Sequence, residues 1–247
     1  MAAVGTAYLV RSGKLDGLIA RGKGSFDHID KKQRAVESIG QIDLDDVPII
    51  GKSPTQIDLD MVSRINGPES ERESIERKIN CANTTTSYIL NSVFGMDTVA
   101  KGHSGIVDEK SGEVILGQYP EIFNSMFDGI KISDDYLHQY KVNELIDRKN
   151  KLVQKNMQLM KQIPNRSTGI LYVTTGFISH FVCWEKDSSG EVSIIDPQCN
   201  SVYSGELLKD FFSDWVIYES LDFSNATIKQ GAQDIFNSVV EGFEEKR

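Results

Sequence analysis

Residues 180–196 consist of two runs rich in β-branched and aromatic side chains, separated by the turn-forming segment KDSSG. This pattern predicts a β-hairpin, and therefore an antiparallel sheet at this point of the chain. If Lys186 faces Gly190 across a three-residue loop, the facing pairs are Trp184 with Val192, Val182 with Ile194, and His180 with Asp196. Side chains alternate between the faces of a strand, so all six share one face, and a slip of one residue would separate His180 from Asp196. The hairpin is thus expected to place an imidazole beside a carboxylate.

A candidate nucleophile lies upstream of the hairpin. Cys81 follows Asn80 at the start of a helix predicted over residues 82–94, and threonines fill its first turn. The N-terminus of a helix favours a thiolate through its partial positive charge, and its free N–H groups can hold an oxyanion. A free cysteine is commonly a small buried apolar residue, but Cys81, His180 and Asp196 follow one another as nucleophile, base and orienting carboxylate. We therefore predict thiolate catalysis by these three residues.

Other assignments stay open. His103, in the glycine-rich segment KGHSG, is the alternative base. A zinc site at the predicted triad is disfavoured because the chain has no CxxC or HxxxH spacing, and we predict no metal ligands. Gln198 follows Asp196 by two residues and shares its face if the strand continues, so Gln198 and Asn80 are predicted to contact the substrate.

Composition limits the class of protein. The 247 residues suffice for one sizeable domain with a small appendage. A net charge of −9 disfavours a nucleic-acid surface, and no apolar run approaches the roughly 18 residues of a membrane span. The N-terminal segment has no basic stretch before its short apolar run, which is not typical of a signal peptide. The cysteine count is odd, at three, which fits a reducing cytoplasm or a reactive thiol.

The order of predicted elements indicates an α+β protein. Helices dominate the part of the chain that carries Cys81, and antiparallel strands dominate the part that carries the hairpin. We predict an N-terminal extension of unknown role over residues 1–70, a catalytic domain over 71–223 with a long helical insertion at 133–163, and a C-terminal helix at 224–247.

Two blocks of sequence resemble the papain-fold toxin family. The first is INCANTTTSYILNSVFGMDTVAKG, in which Asn-Cys opens a helix that leads to a glycine and a short strand. The second is RSTGILYV followed by HFVCWEKDSSGEVSIIDPQ, in which the histidine strand leads to Asp-Pro-Gln. The resemblance covers residues 78–200 and carries Cys81, His180, Asp196 and Gln198. The chain departs from the family pattern at Ser179, where members often have glycine, and at Phe94, where they often have arginine.

The resemblance implies a papain-like cysteine hydrolase without a cofactor. Several members of that family are protein-glutamine deamidases, delivered as toxin or effector domains by secretion systems or phage particles, so the expected partner is a protein substrate. Residues 1–70 are the candidate segment for a delivery or virion partner. Two other classes remain open: a cysteine peptidase or isopeptidase with the same triad, and a non-catalytic structural or delivery protein with an inherited papain-like fold.

Overall fold

The computed structural model describes residues 57–103, 106–107, 114–115, 120–133, 149–175 and 178–243. Most of the predicted N-terminal extension and residues 134–148 of the predicted insertion lie outside these ranges. The described helices are α1 (Leu59–Ile65), α2 (Ile75–Lys78), α3 (Cys81–Ser92), α4 (Glu121–Met126), α5 (Lys149–Gln162), α6 (Leu207–Asp214) and α7 (Gln233–Val239). The described strands are β1 (Val99–Ala100), β2 (Ile106–Val107), β3 (Val114–Ile115), β4 (Phe127–Asp128), β5 (Lys131–Ser133), β6 (Ser167–Thr174), β7 (Ser179–Lys186), β8 (Val192–Asp196), β9 (Ser201–Ser204), β10 (Val216–Asp222), β11 (Thr227–Ile228) and β12 (Val240–Glu241).

A six-stranded antiparallel sheet organises the described part of the chain. Its strand order is β5-β10-β6-β7-β8-β9, and every neighbouring pair is antiparallel. The central strands β6 and β7 are buried along almost their whole length, and each has a continuous apolar middle, ILYV in β6 and FVCW in β7, rather than a strict alternation. Helices and an antiparallel sheet together confirm the predicted α+β class.

Helices cover the two faces of this sheet. On the α3 face, which Phe181, Cys183 and Ile195 define, helix α3 packs against β7. On the α5–α6 face, which Val182, Trp184 and Ile194 define, helices α5 and α6 pack against the other side of the same strands. Gly169 lies directly opposite Trp184, and an added Cβ there would meet the indole ring at 2.5 Å. Glycine at this position therefore allows the fully buried indole to cover the strand.

The predicted hairpin is present as β7 and β8, but its register differs from the predicted one by two residues. The observed partners are Lys186 with Val192, Glu185 with Ser193, Trp184 with Ile194, and Cys183 with Ile195. The three-residue loop lies one residue further along the chain than predicted: the Asp187 N–H donates to the Glu191 carbonyl at 3.0 Å, Asp187 Oδ1 accepts the Glu191 N–H at 2.9 Å, and Gly190 adopts a φ of +90°. A shift of two residues preserves the faces, so His180 and Asp196 still share one side.

The observed elements differ from the predicted ones at three places near the predicted boundaries. Helix α1 lies before the predicted boundary at residue 70, yet its Val62 and Ile65 are buried in the α3-face core, so residues 59–65 pack with the domain. The predicted C-terminal helix over 224–247 is instead the strand β11, the short helix α7 and the strand β12 in its described part. Of the predicted insertion at 133–163, residues 149–162 are helical, and residue 133 belongs to an edge strand of the sheet.

Within the described ranges, no helix combines the length and the apolar character that crossing a membrane requires.

Candidate active site

Helix α3 begins at Cys81. Threonines are poor helix formers, but here Thr84 and Thr85 direct their hydroxyls to the Cys81 carbonyl at 2.9 and 3.0 Å, which satisfies them inside the core. Asn80 occupies the N-cap position, although its side chain makes no capping hydrogen bond. Without a side-chain cap, the first-turn N–H groups and the positive end of the helix dipole remain beside the thiol.

The predicted base and its orienting carboxylate are in direct contact. His180 Nε2 and Asp196 Oδ2 are 2.9 Å apart, and the two residues are only 8% and 4% exposed. The second carboxylate oxygen, Oδ1, accepts the backbone N–H groups of Gln198 and Cys199 at 3.1 and 3.2 Å. These bonds arise in the turn between β8 and β9, which Asn200 helps to close with a φ of +52°. Both carboxylate oxygens are therefore engaged, and the plane of the carboxylate is fixed.

Contacts within the pair control its charge. Burial alone would lower the pKa of His180, but the charge of Asp196, its hydrogen bond and the Cys81 thiol outweigh burial and raise that pKa from 6.5 to about 10. Burial would raise the pKa of Asp196, yet His180 and the surrounding hydrogen bonds hold it below its usual value. At neutral pH the pair is an imidazolium and a carboxylate.

The nucleophile and the base come from opposite faces of the sheet. Cys81 is half-buried and packs at the margin of the α3-face core, whereas His180 stacks near Trp215, with ring centroids 5.6 Å apart, on the α5–α6 face. Cys81 and His180 meet past the end of the paired part of β7 and β8, whose last pair is Cys183 with Ile195. Because Asp196 occupies Nε2, the other ring nitrogen, Nδ1, is left for the thiol of Cys81, which interacts with this imidazole. The structure thus brings together all three predicted residues.

Asn80 and Gln198 lie beside this cluster, within the protein. Asn80 is fully buried; its Nδ2 donates to Asn66 Oδ1 and to the Lys101 carbonyl, both at 2.9 Å, and its Oδ1 accepts from Gln198 Nε2 at 3.1 Å. Gln198 Nε2 also reaches the Arg77 carbonyl at 3.3 Å. Contact of these amides with a substrate would break existing hydrogen bonds, so their predicted substrate-binding role gains no support from this geometry and stays a prediction.

The remaining candidates occupy other positions. Cys183 is fully buried with its Sγ toward the Thr85 carbonyl, and burial raises the pKa of its thiol well above the usual value. Burial and the neighbouring Asp196 carboxylate raise the pKa of the half-buried Cys199. The backbone N–H of His103 donates to the Glu76 carbonyl at 2.9 Å, and the imidazole that interacts with Cys81 is that of His180. Of the three thiols, Cys81 has the surroundings of a reactive one.

Two residues of the site escaped the sequence analysis. Trp215 begins a strand predicted over residues 215–221, and nothing in its sequence context indicates that it packs on His180. Asn66 lies in the segment INGP, which resembles an ordinary turn signal, and its partner Gln198 is 132 residues away. No local pattern could have identified either contact.

Comparisons of the chain with protein-family models, with curated proteins and with solved structures found no match. Within the described residues, no group of three or more histidine, cysteine, aspartate or glutamate side chains is arranged to hold a metal ion. The fold and site therefore define an α+β protein with a cysteine, histidine and aspartate in one cluster.

Proposed function

We propose that this chain is a papain-like cysteine hydrolase that deamidates glutamine in a target protein, as a toxin or effector. The observation that carries the proposal is the buried contact of 2.9 Å between His180 Nε2 and Asp196 Oδ2, with the Cys81 thiol against the same imidazole. A thiol, a base and an orienting carboxylate in this order form the minimum unit of thiolate catalysis.

Each residue has one role in the proposed reaction. Cys81 reacts as the thiolate of a thiolate–imidazolium pair with His180, and its sulfur forms a bond to the carbonyl carbon of the substrate carboxamide. The backbone N–H of Cys81, at the uncapped helix start, stabilises the oxyanion. His180 then donates its proton to the departing nitrogen, which leaves as ammonia. Water, deprotonated by His180, attacks the thioester, and glutamate and the free thiol are released. Asp196 holds the imidazole in position throughout.

The choice of glutamine depends on the motif resemblance. The hairpin followed by Asp-Pro-Gln, together with Asn-Cys at a helix start, resembles papain-fold toxins, several of which are deamidases. This is an argument by analogy, since one fold supports many substrates. The described geometry supports attack on a carboxamide or on a peptide carbonyl equally well, and the two differ in the leaving group.

Incubation with candidate target proteins distinguishes the possible classes. We expect ammonia release, conversion of glutamine to glutamate by mass spectrometry, and an unchanged target length, all absent with Cys81→Ala. Cleaved target without deamidated glutamine would assign the chain to cysteine peptidases or isopeptidases. Neither product with any target, from a chain whose Cys81 does not react with a thiol probe, would instead support the non-catalytic structural or delivery class.

A further inference from the structure

Three amide side chains form a closed hydrogen-bonded ring behind the candidate site. Asn80 Nδ2 donates to Asn66 Oδ1 at 2.9 Å, Asn66 Nδ2 donates to the Gln198 backbone carbonyl at 2.9 Å, and Gln198 Nε2 donates to Asn80 Oδ1 at 3.1 Å. We call this arrangement the amide ring. Additional donors of Asn66 and Gln198 meet at a single acceptor, the Arg77 carbonyl, at 3.3 Å each. Each of the three side-chain NH₂ groups therefore has two hydrogen-bond acceptors.

The amide ring joins three segments that are distant in sequence. Asn66 is the C-cap of α1, Asn80 immediately precedes the nucleophile, and Gln198 follows Asp196 by two residues while its N–H also holds the Asp196 carboxylate. A shift of Asn66 would therefore move the start of α3 relative to the turn that carries Asp196. The ring spans the same two elements that must keep Cys81 and the His180–Asp196 pair at a fixed separation.

Burial makes the ring rigid. Asn66 and Asn80 are 3% and 0% exposed, so water cannot replace a lost partner. In such surroundings hydrogen bonds strengthen one another, and an unsatisfied amide is costly. Asparagine at an N-cap usually bonds the N–H groups of its own helix; here Asn80 gives its side chain to the ring, and the helix start beside Cys81 keeps its N–H groups.

We infer that Asn66 is a positioning residue for Cys81, acting through the amide ring to hold the nucleophile at its distance from His180 and Asp196. This inference rests on the thiol chemistry proposed above, because positioning matters only if Cys81 must meet an imidazole. It extends the site to helix α1, which lies outside the catalytic domain predicted from the sequence. Since Asn66 acts through Asn80 and Gln198, it touches no reacting atom.

The test is the reactivity of Cys81 as a function of pH. Iodoacetamide alkylation of the folded protein, mapped to Cys81 by mass spectrometry, reports thiolate formation without any substrate. For Asn66→Ala we expect the rate constant at neutral pH to fall on the order of 10-fold to 100-fold, since small misplacements of reacting groups have effects of this size. The acid limb of the profile should move to higher pH, because a thiolate farther from the imidazolium is less favoured.

A matched control separates positioning from folding. Asn91 is on helix α3, which begins at Cys81. Like Asn66, it makes three side-chain hydrogen bonds, in this case all to Thr98, at 2.7 to 2.9 Å. Asn91→Ala should lower the melting temperature as Asn66→Ala does, but leave the alkylation profile within about twofold of wild type, because its site is distant. If Asn66→Ala fails to fold, Gln198→Met opens the ring at a half-buried position while conserving side-chain volume, and the same slower alkylation is expected.

The outcomes distinguish this inference from the proposed function. Wild-type pH profiles for both Asn66→Ala and Gln198→Met would overturn the inference. Slow alkylation of these variants, with a reactive wild-type Cys81 that deamidates nothing, would support the inference and reject the deamidase. If wild-type Cys81 is not reactive, the proposed function fails, and the ¹⁵N shifts of the His180 ring, followed as a function of pH, test the positioning role instead. Loss of the imidazolium form at a lower pH in the variants than in the wild type supports the inference. Unchanged shifts overturn it.

Discussion

The two faces of the sheet are built from different materials. On the α3 face, the N-cap Asn80 is buried, and helix α3 buries, beside its apolar residues, a continuous polar run: Asn83, Thr84, Thr85, Thr86 and Ser87. On the α5–α6 face the core is aliphatic and aromatic, and its buried cation Lys186 donates to the carbonyls of Lys161 and Ile163 at 2.8 and 2.7 Å, at the C-terminal end of α5. Both faces bury an apolar core, and the α3 face adds side-chain hydrogen bonds that fix the position of its helix.

A buried polar contact ties the nucleophile helix to the base strand. Tyr88, two turns after Cys81, donates its hydroxyl to Glu185 Oε1 at 2.5 Å, and Glu185 is on the strand that begins next to His180. Burial raises the pKa of the Glu185 carboxyl. Such hydrogen bonds specify one alignment of helix and strand, which apolar packing alone does less strictly. The comparison teaches that changes in the hydrogen-bonded groups around Cys81, His180 and Asp196 should alter activity, whereas changes in the apolar core under α5 and α6 should alter stability.

The largest expected effect is at the nucleophile. Cys81→Ala should reduce the proposed deamidation by at least about 1000-fold, since the members of a catalytic triad act as a unit, while the melting temperature changes little because Cys81 is half-buried. In the wild-type protein at neutral pH, iodoacetamide should modify Cys81 before Cys183 and Cys199, whose environments raise their thiol pKa values. Peptide mapping checks this order, and equal labelling of all three thiols would contradict it.

The orienting carboxylate should have the next largest effect. Asp196→Asn should lower the rate roughly 100- to 10,000-fold, because the amide no longer stabilises the imidazolium. Its stability cost should be smaller than its cost in rate, as denaturant unfolding will show. Asp187→Asn is the matched control, since Asp187 is the partly exposed turn aspartate of the same hairpin and its side chain hydrogen-bonds within its own turn. Equal loss of rate in both variants would remove Asp196 from the triad.

A substitution in the apolar core of the α5–α6 face should lower stability and leave the reactivity of Cys81 unchanged. Phe212 on α6 is 1% exposed in the core of the α5–α6 face. Phe212→Ala should cost about 3–5 kcal/mol of unfolding free energy, measured by urea titration, while the alkylation rate of Cys81 in the folded protein stays near the wild-type value. A large change in that rate at low temperature, where the variant is folded, would show that the two faces are not separable in this way.

The sequence predicted the faces of the hairpin better than its register. Alternation of apolar residues determines which side chains share a face, and an even shift leaves that result unchanged. The register depends on how Asp187 and Gly190 build the turn, which involves a side-chain bond and a positive φ that the composition of a turn does not specify. The structure therefore has His180 beside Asp196 as predicted, although the two residues are not the cross-strand partners that the sequence predicted.

Contacts between distant segments could not be predicted from the sequence. The short pattern of α1 gave no sign that Val62 and Ile65 enter the core, because a seven-residue helix has too few turns for periodicity to stand out. The amide ring depends on a partner 132 residues away. The α+β class, the nucleophile helix and the strands around the hairpin were predictable because local patterns specify them.

The structure changes what we expect from truncation. A chain that begins at Pro68 lacks Val62 and Ile65, whose burial stabilises the domain by roughly 1.5–3 kcal/mol each, and it also lacks Asn66. We expect it to be less stable and its Cys81 to react slowly, whereas a chain that begins at Ile57 should keep both properties. Denaturant unfolding and alkylation check this. If the shorter chain matches the longer one, the boundary near residue 70 predicted from the sequence is right.

The smallest effect concerns pH and compares the buried ion pair of the site with the apolar core of the α5–α6 face. The pKa of His180 is raised from 6.5 to about 10, so its ion pair with Asp196 contributes stability that is fully present below pH 6.5 and is lost as the pH rises toward 10. The pKa of Asp196 is lowered, so its contribution is lost only in acid, as the pH falls through the folded-state value.

In a Cys81→Ala background, which removes titration of that thiol, the stability difference caused by Asp196→Asn should shrink between pH 6.5 and pH 10. The difference caused by Phe212→Ala should stay constant over the same range, because it removes only apolar contacts. Urea titrations across this range measure both differences, and a flat difference for Asp196→Asn would mean that the buried imidazole carries no charge at neutral pH.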